Sequence, residues 1–229
     1  MKLLALETTE KYGSVALLDD NNVLAEAVLP KNQRSSQTLH PALHSLFLES
    51  QIAATEIDAV AVVAGPGSFT GLRVGVTAAK VFAYAIGAKI VVIDTFQAVA
   101  SAAPTHSGMI SVGVDAQRGE AVVAVLRRSE FGQAEMVEGP ALIAVEDWWK
   151  HIDRYEDVLF TGPALEKWSG KVPSHLVLAD EADWFPKASI AGKLAVERVR
   201  LTGQYDDVWS LLPIYSRLSA AEEKRNAGE

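Results

Sequence analysis

The chain has 229 residues, 49% of them hydrophobic and none in a low-complexity tract, which is ample for a packed core and excludes a disordered protein. A formal net charge of −8 argues against a free-standing nucleic-acid binder, and the absence of cysteine excludes disulfides, thiol catalysis and cysteine metal sites. The first apolar run breaks at Glu7, too early for a signal-peptide core, and no apolar stretch approaches the roughly 20 residues of a bilayer span, so a soluble cytoplasmic protein with no membrane contact is expected.

Residues 3–6 and 14–18 predict paired strands around a loop, with a third strand at 23–28. Leu39, Leu43, Leu46 and Phe47 fall on one face of a helix over 36–50. Residues 57–64 read IDAVAVVA and stop at Gly65-Pro66-Gly67, the pattern of a strand buried on both faces that ends in a turn. Ser68 and Thr70 offer N-cap hydroxyls to a helix over 72–86. A short buried strand at 88–93 and a short helix at 95–102 follow, and the polar break from Pro104 to Gly108 suits a domain boundary. Beyond it come strands at 110–114 and 121–126, a helix around 145–151, a strand at 158–160 and a helix at 189–201. The tail over 219–229 is polar and expected to fray.

A glycine loop before a helix suggests an anion site, but the spacing fails both common phosphate motifs. No Gly-Lys pair makes a P-loop, and Gly65, Gly67 and Gly71 give GxGxxxG where a dinucleotide fingerprint needs GxGxxG. Internal similarity is more informative. LLALETTEKYGSVALL and ISVGVDAQRGEAVVAVL share one plan: apolar strand, carboxylate (Glu7 or Asp115), polar turn, glycine (Gly13 or Gly119), apolar strand. VVAGPGS is then echoed, in the same order, by LFTGPAL. A duplicated hairpin with βα crossovers describes an α/β actin-like ATPase architecture: two RNase-H-like lobes with mixed sheets flanked by helices. The lobes are expected over 1–104, with the GPGSFTG loop and docking helices, and over 105–218, followed by a flexible tail over 219–229.

LLALETT, AGPGSFTGLRVG, VDAQRGE and LPIYSR together resemble the TsaB (YeaZ) family over residues 1–218. The resemblance implies a non-catalytic accessory subunit of the bacterial machinery for tRNA threonylcarbamoyladenosine. Its partners would be a TsaD-like catalytic subunit, which modifies adenosine 37 of certain tRNAs, and a TsaE-like ATPase. Two first-half helices would dock on TsaD or on a second copy of the chain. No cofactor would be intrinsic; ATP and metal would sit on partner subunits, and tRNA would be met only indirectly. The alternatives are a stand-alone ATP-dependent transferase and a metal-dependent glycoprotease-like peptidase.

TsaD-like enzymes carry a metal-binding HxxxH after the strand that follows the GPG helix; here that region reads VVIDTFQAVASAA, without histidine. Glu7, Thr8 and Thr9 occupy the place of the first phosphate loop. Glu7 reads either as a residual nucleotide or magnesium contact or, favoured, as a carboxylate capping a strand end near Asp115. His40 and His44 stand at i and i+4, a zinc-compatible spacing, but with no glutamate of an HExxH and no third ligand. The helix over 72–86 is apolar except for a stripe at Arg73, Thr77, Lys80 and Tyr84, and Gly75, Ala79 and Ala83 recur every four residues, which suits close helix packing. The expected partner interface is therefore Leu39, Leu43, Phe47, Gly75, Ala79, Phe82 and Ala83. Trp148-Trp149 reads as packing, Arg127-Arg128 as a solvated hairpin end, and Tyr215 as an anchor on the second-half sheet.

Overall fold

The computed structural model describes residues 1–103, 108–129, 134–152 and 154–217. Residues 104–107 of the expected boundary, and the expected frayed tail over 219–229, lie outside the described residues. In chain order the elements are β1 (Lys2–Glu7), β2 (Ser14–Asp19), β3 (Asn22–Val28), α1 (Ser35–Ser50), β4 (Ala59–Gly65), α2 (Phe69–Ile86), β5 (Lys89–Asp94), α3 (Thr95–Ala102), β6 (Met109–Gln117), β7 (Glu120–Arg128), β8 (Ala134–Ala144), α4 (Val145–Ile152), β9 (Val158–Thr161), α5 (Leu165–Trp168), β10 (Val177–Leu178) and α6 (Ala188–Thr202).

Two five-stranded sheets form, ordered β3-β2-β1-β4-β5 and β10-β9-β6-β7-β8. Advancing every strand of the first sheet by five reproduces the second. In each, two antiparallel hairpin contacts are followed by two parallel ones. Gly65 ends β4 at φ 129° and Gly162 follows β9 at φ 114°, so the Gly-Pro echo marks equivalent turns. The duplication read from the sequence is a structural one, and the fold is the expected two-lobed actin-like α/β architecture.

Both faces of the first sheet are covered, which is why its inner strands β1 and β4 are mostly apolar and buried. Leu4 and Leu6 of β1 pack with Leu39, Leu43, Leu46, Val76, Ala79 and Ala83 of α1 and α2. Leu3 and Ala5 face Ala188, Ala191, Ala195 and Val196 of α6. The small residues of α6 let it lie close: a Cβ on Gly192 would press on Leu18 and Ala5. The second sheet packs Ile110, Val112 and Val114 against Phe96, Val99 and Ala100 of α3, and its other face against Trp148 and Ile152 of α4. Helices therefore cross between halves. α3, drawn from the first half, covers the second sheet, and α6, from the second half, covers the first.

Two local expectations differ from the structure. β8 was not foreseen: AEMVEGPALIA mixes charges, proline and glycine, and it is an edge strand held by β7 with two register shifts. Arg128 is not a solvated hairpin end; its Nη2 donates to the carbonyls of Ala100 and Ala103 at 3.0 and 3.1 Å and so caps the C-terminus of α3. Trp148 is fully buried, donates from Nε1 to Ser111 Oγ at 2.8 Å and stacks on Trp149 at 5.1 Å, as packing residues should. α2, at 18 residues and mean hydropathy 1.2, has the length and composition of a membrane span. Its inner side is buried on the sheet, and Arg73 and Lys80 interrupt its outer side, so its apolarity is that of a core helix.

Candidate functional site

The turn after β1 is closed by the protein itself. Glu7 is fully buried; Thr9 N–H and Thr9 Oγ1–H both donate to its Oε1, at 2.5 and 2.6 Å. Its other oxygen, Oε2, is buried with no hydrogen-bond partner among the described residues. Burial pushes its pKa up to about 8, against the lowering effect of the Thr9 hydrogen bonds. The carboxylate that feels Asp115 is Glu10, not Glu7; burial raises its pKa and the charges of Glu7, Asp115 and Glu166 raise it further. Glu7 thus caps its own turn, and the expected proximity to Asp115 belongs to its neighbour.

The glycines of GPGSFTG serve this closure. Thr8 Oγ1 donates to the Gly71 carbonyl at 2.8 Å, and Ser68 N–H donates to the Thr9 carbonyl at 2.7 Å. A Cβ on Gly71 would overlap the Thr8 carbonyl oxygen, one on Gly75 would overlap Thr8 Oγ1, and one on Gly67 would come within 2.7 Å of Thr9. Gly65, at φ 129°, faces the backbone of Ile214, whose N–H donates to Ala64 O at 2.7 Å. The spacing that matches no phosphate motif is therefore a packing code for close backbone approach. Ser68 is the N-cap of α2, its Oγ accepting from Gly71 N–H, while Thr70 is exposed inside the first turn. Gly71→Ala is expected to cost about 2–3 kcal/mol, because the clash is with backbone. Gly139→Ala, in open space, should stay within about 0.5 kcal/mol, both read by urea denaturation.

The helix face needs correction. Leu39, Leu43, Gly75, Ala79 and Ala83 are buried in the chain's own core and face the first sheet. Phe47 and Phe82 are half-buried and stack on each other at 5.6 Å between α1 and α2. Small residues every four positions let α2 lie on β4 and against Thr8, so the surface assigned to a partner is used internally. The outward face of α2 is Thr70, Arg73, Thr77, Val81, Tyr84 and Ala85, spaced at helical intervals.

Part of that face is crossed by the segment 206–217, whose Tyr215 was expected on the second sheet. Asp206 adds to the edge of β5, its N–H donating to Ile90 O and its Oδ2 accepting from Val92 N–H, while Arg198 pairs with it at 3.0 Å. Lys80 Nζ donates to the carbonyls of Trp209 and Leu211 at 3.2 and 3.1 Å. Trp209 meets Tyr84 edge-on at 5.4 Å. Tyr215 packs on Phe69 at 4.8 Å and its hydroxyl accepts from Arg73 Nε at 2.9 Å, so it anchors on α2. Arg217 carries the segment to the second sheet, pairing with Glu120 at 2.7 Å. Leu48, Val81, Tyr84, Trp209 and Leu212 remain 62–71% exposed, an unusual set of large apolar side chains for two packed helices and a strap. Trp209 and Leu212 had no periodic pattern to single them out.

Between the sheets lies a cleft of about 980 Å³, walled by the turn at Thr8–Lys11, the heads of α1 and α2, the β6–β7 turn and Tyr215–Arg217. Glu166 ties its two sides together, accepting from Lys11 at 2.9 Å and from Tyr12 at 3.2 Å, with Lys31 3.5 Å away. His40 and His44 are exposed on α1, and no group of three histidine or acidic side chains able to hold a metal forms among the described residues. Asp94 caps α3 by accepting from Phe96 and Gln97 N–H.

The family model described as "TsaD: tRNA N6-adenosine threonylcarbamoyltransferase" matches residues 22–178. The tRNA threonylcarbamoyladenosine biosynthesis protein TsaB of Bacillus subtilis (strain 168) is 29% identical, covering 98% of this chain and 97% of its own length. The protein of the same name from Escherichia coli (strain K12) is also 29% identical, covering 98% of each chain. The solved structure of YeaZ from Pseudomonas aeruginosa superposes with a TM-score of 0.80 at 22% identity, over 93% of this chain and 99% of that one. The chain belongs to the TsaD family defined by that model and is similar over 98% of its length to the proteins named TsaB.

Proposed function

We propose that this chain is a cytoplasmic, non-catalytic accessory subunit in tRNA threonylcarbamoyladenosine formation that docks onto a TsaD-like catalytic subunit. Relatives named for that pathway cover its whole length. The observation that carries the non-catalytic reading is the closed turn: Ser68 N–H donates to the Thr9 carbonyl and Thr9 N–H to Glu7 Oε1 where a phosphate would need open amides. ATP and metal then belong to partner subunits, a TsaE-like ATPase among them, and tRNA contact is indirect.

The docking face we assign is the outer side of α2 with the strap across it: Val81, Tyr84, Trp209 and Leu212, with Leu48 on α1. Aromatic anchors ringed by small and polar residues are what hot spots of helical interfaces are made of. By holding TsaD in one conformation, such a surface contributes through differential binding to the partner's states. The test is co-purification of this chain with its cognate TsaD. Val81→Arg, on an exposed site, should weaken association at least tenfold while the melting temperature stays within about 2 °C. Wild-type association by this variant would refute the assigned face.

A further inference from the structure

We propose, taking the docking face assigned above as given, that Lys80 is its positioning residue. By holding the turn at residues 207–211 it sets where Trp209 and Leu212 stand, so the face is complete only while that turn is docked on α2.

The strap is tied to the first sheet at both ends. At one end Asp206 adds to the edge of β5 through Ile90 and Val92. At the other, Ile214 N–H donates to Ala64 O and Tyr215 packs on Phe69. Between these ties the chain makes a single turn, too short to be stable through its own hydrogen bonds. Asp207 satisfies the amide end: its Oδ2 accepts from Ser210 N–H at 2.9 Å. The Ser210 hydrogen bonds hold this carboxyl below the usual range, and the Lys80 charge acts in the same direction. Lys80 satisfies the carbonyl end, its Nζ donating to Trp209 O and Leu211 O at 3.2 and 3.1 Å. A cation there meets the negative end of the turn through charge-assisted bonds, which are stronger than neutral ones.

The turn points two ways. Leu211 is buried in the core shared by α1, α2 and the first sheet, with Val208 packed against that core, whereas Trp209 and Leu212 are each 71% exposed. α2 grips Trp209 at two points one helical turn apart: Lys80 takes its carbonyl, and Tyr84 meets its ring edge-on at 5.4 Å. Arg73, the other cation on this side of α2, donates to the Tyr215 hydroxyl beyond the turn and does not share the task. Loss of the Lys80 ammonium leaves the ties at Asp206 and Ile214 in place, so the loosening is confined to the stretch that carries Trp209 and Leu212. A partner would then have to order that stretch itself, and the lost freedom lowers its affinity.

The experiment is hydrogen–deuterium exchange of the purified full chain, read by mass spectrometry, beside titration with its cognate TsaD. Lys80→Met keeps the aliphatic stem without the charge. In it, exchange over residues 207–212 should rise about tenfold and association with TsaD should weaken about tenfold. Exchange in β1 and β4 should match wild type, with the melting temperature within about 2 °C. Lys80→Arg should restore both properties, because it supplies the charge and the donors. Lys89→Met, an equal loss of charge at an exposed position of β5, should alter neither. Wild-type exchange over 207–212 in Lys80→Met, a rise spread across the first sheet, or no recovery in Lys80→Arg would overturn the positioning role. Fast exchange of the strap with wild-type association would show that the face does not depend on it. Val81→Arg reads the docking face separately: if that variant still associates, the face is refuted, while the exchange measurement, which needs no partner, still decides whether Lys80 holds the turn.

Discussion

Ala79→Arg should yield little or no folded protein. Ala79 is fully buried where α2 lies on the first sheet, among Val60, Val62, Val76 and Ala83. An arginine there must either bury a charge among aliphatic side chains or pry the helix off the sheet. Either outcome costs several kcal/mol, comparable with the roughly 5–15 kcal/mol that stabilises a typical domain. The measurement is soluble yield and the thermal transition beside Val81→Arg, two residues further along the same helix but 62% exposed. The pair separates inside from outside: the first should lose the fold, the second only the partner. An Ala79→Arg protein that melts like wild type and fails only in association would show that α2 presents its small-residue face outward.

Glu7→Gln should raise stability increasingly as pH rises. The Glu7 carboxyl has its pKa moved from an ordinary 4.5 to about 8, chiefly by burial beneath the β1 turn. With the folded value above the unfolded one, the native state holds the proton more tightly between them. The contribution of Glu7 to native stability is therefore greatest below about 4.5, falls as pH rises, and levels off above about 8. Glutamine keeps an oxygen for Thr9 N–H and Thr9 Oγ1–H without the ionisation. It also removes one of the charges that hold Glu10 up. The unfolding free energy of the variant minus that of wild type should climb across this window to a few kcal/mol, at about 1.4 kcal/mol per unit of pKa difference. Urea denaturation at several pH values reads it directly. Parallel profiles for the two proteins would mean that Glu7 ionises freely in the folded state.

Much of this protein was legible because its signals are local. A strand apolar at every position, such as Leu3–Leu6, has to be buried on both faces wherever it lies. A helix with Leu39, Leu43 and Leu46 at helical spacing has one side inward by geometry alone. The paired motifs ending in Glu7 and Asp115, and in Gly65 and Gly162, exposed the duplication before any contact was known. β8 escaped because an edge strand with one wet side needs no apolar run. The strap escaped because its residues touch α2 through irregular backbone, which leaves no period to read.

By itself, then, the amino-acid order determined which segments are strands and helices, that they come in two similar sets, and that neither common phosphate motif is present. Periodicity and turn chemistry act over a few residues and need no partner to be recognised. Only the tertiary structure decided which side of α2 is interior, because a helix apolar nearly all round has no preferred inward face until a sheet is laid against it. It likewise decided that α6 covers the opposite sheet, that the glycines of GPGSFTG make room for Thr8, Thr9 and Ile214, and that Lys80 meets a turn far along the chain. Those are distances between remote segments, and burial energy selects them only once the whole chain has closed.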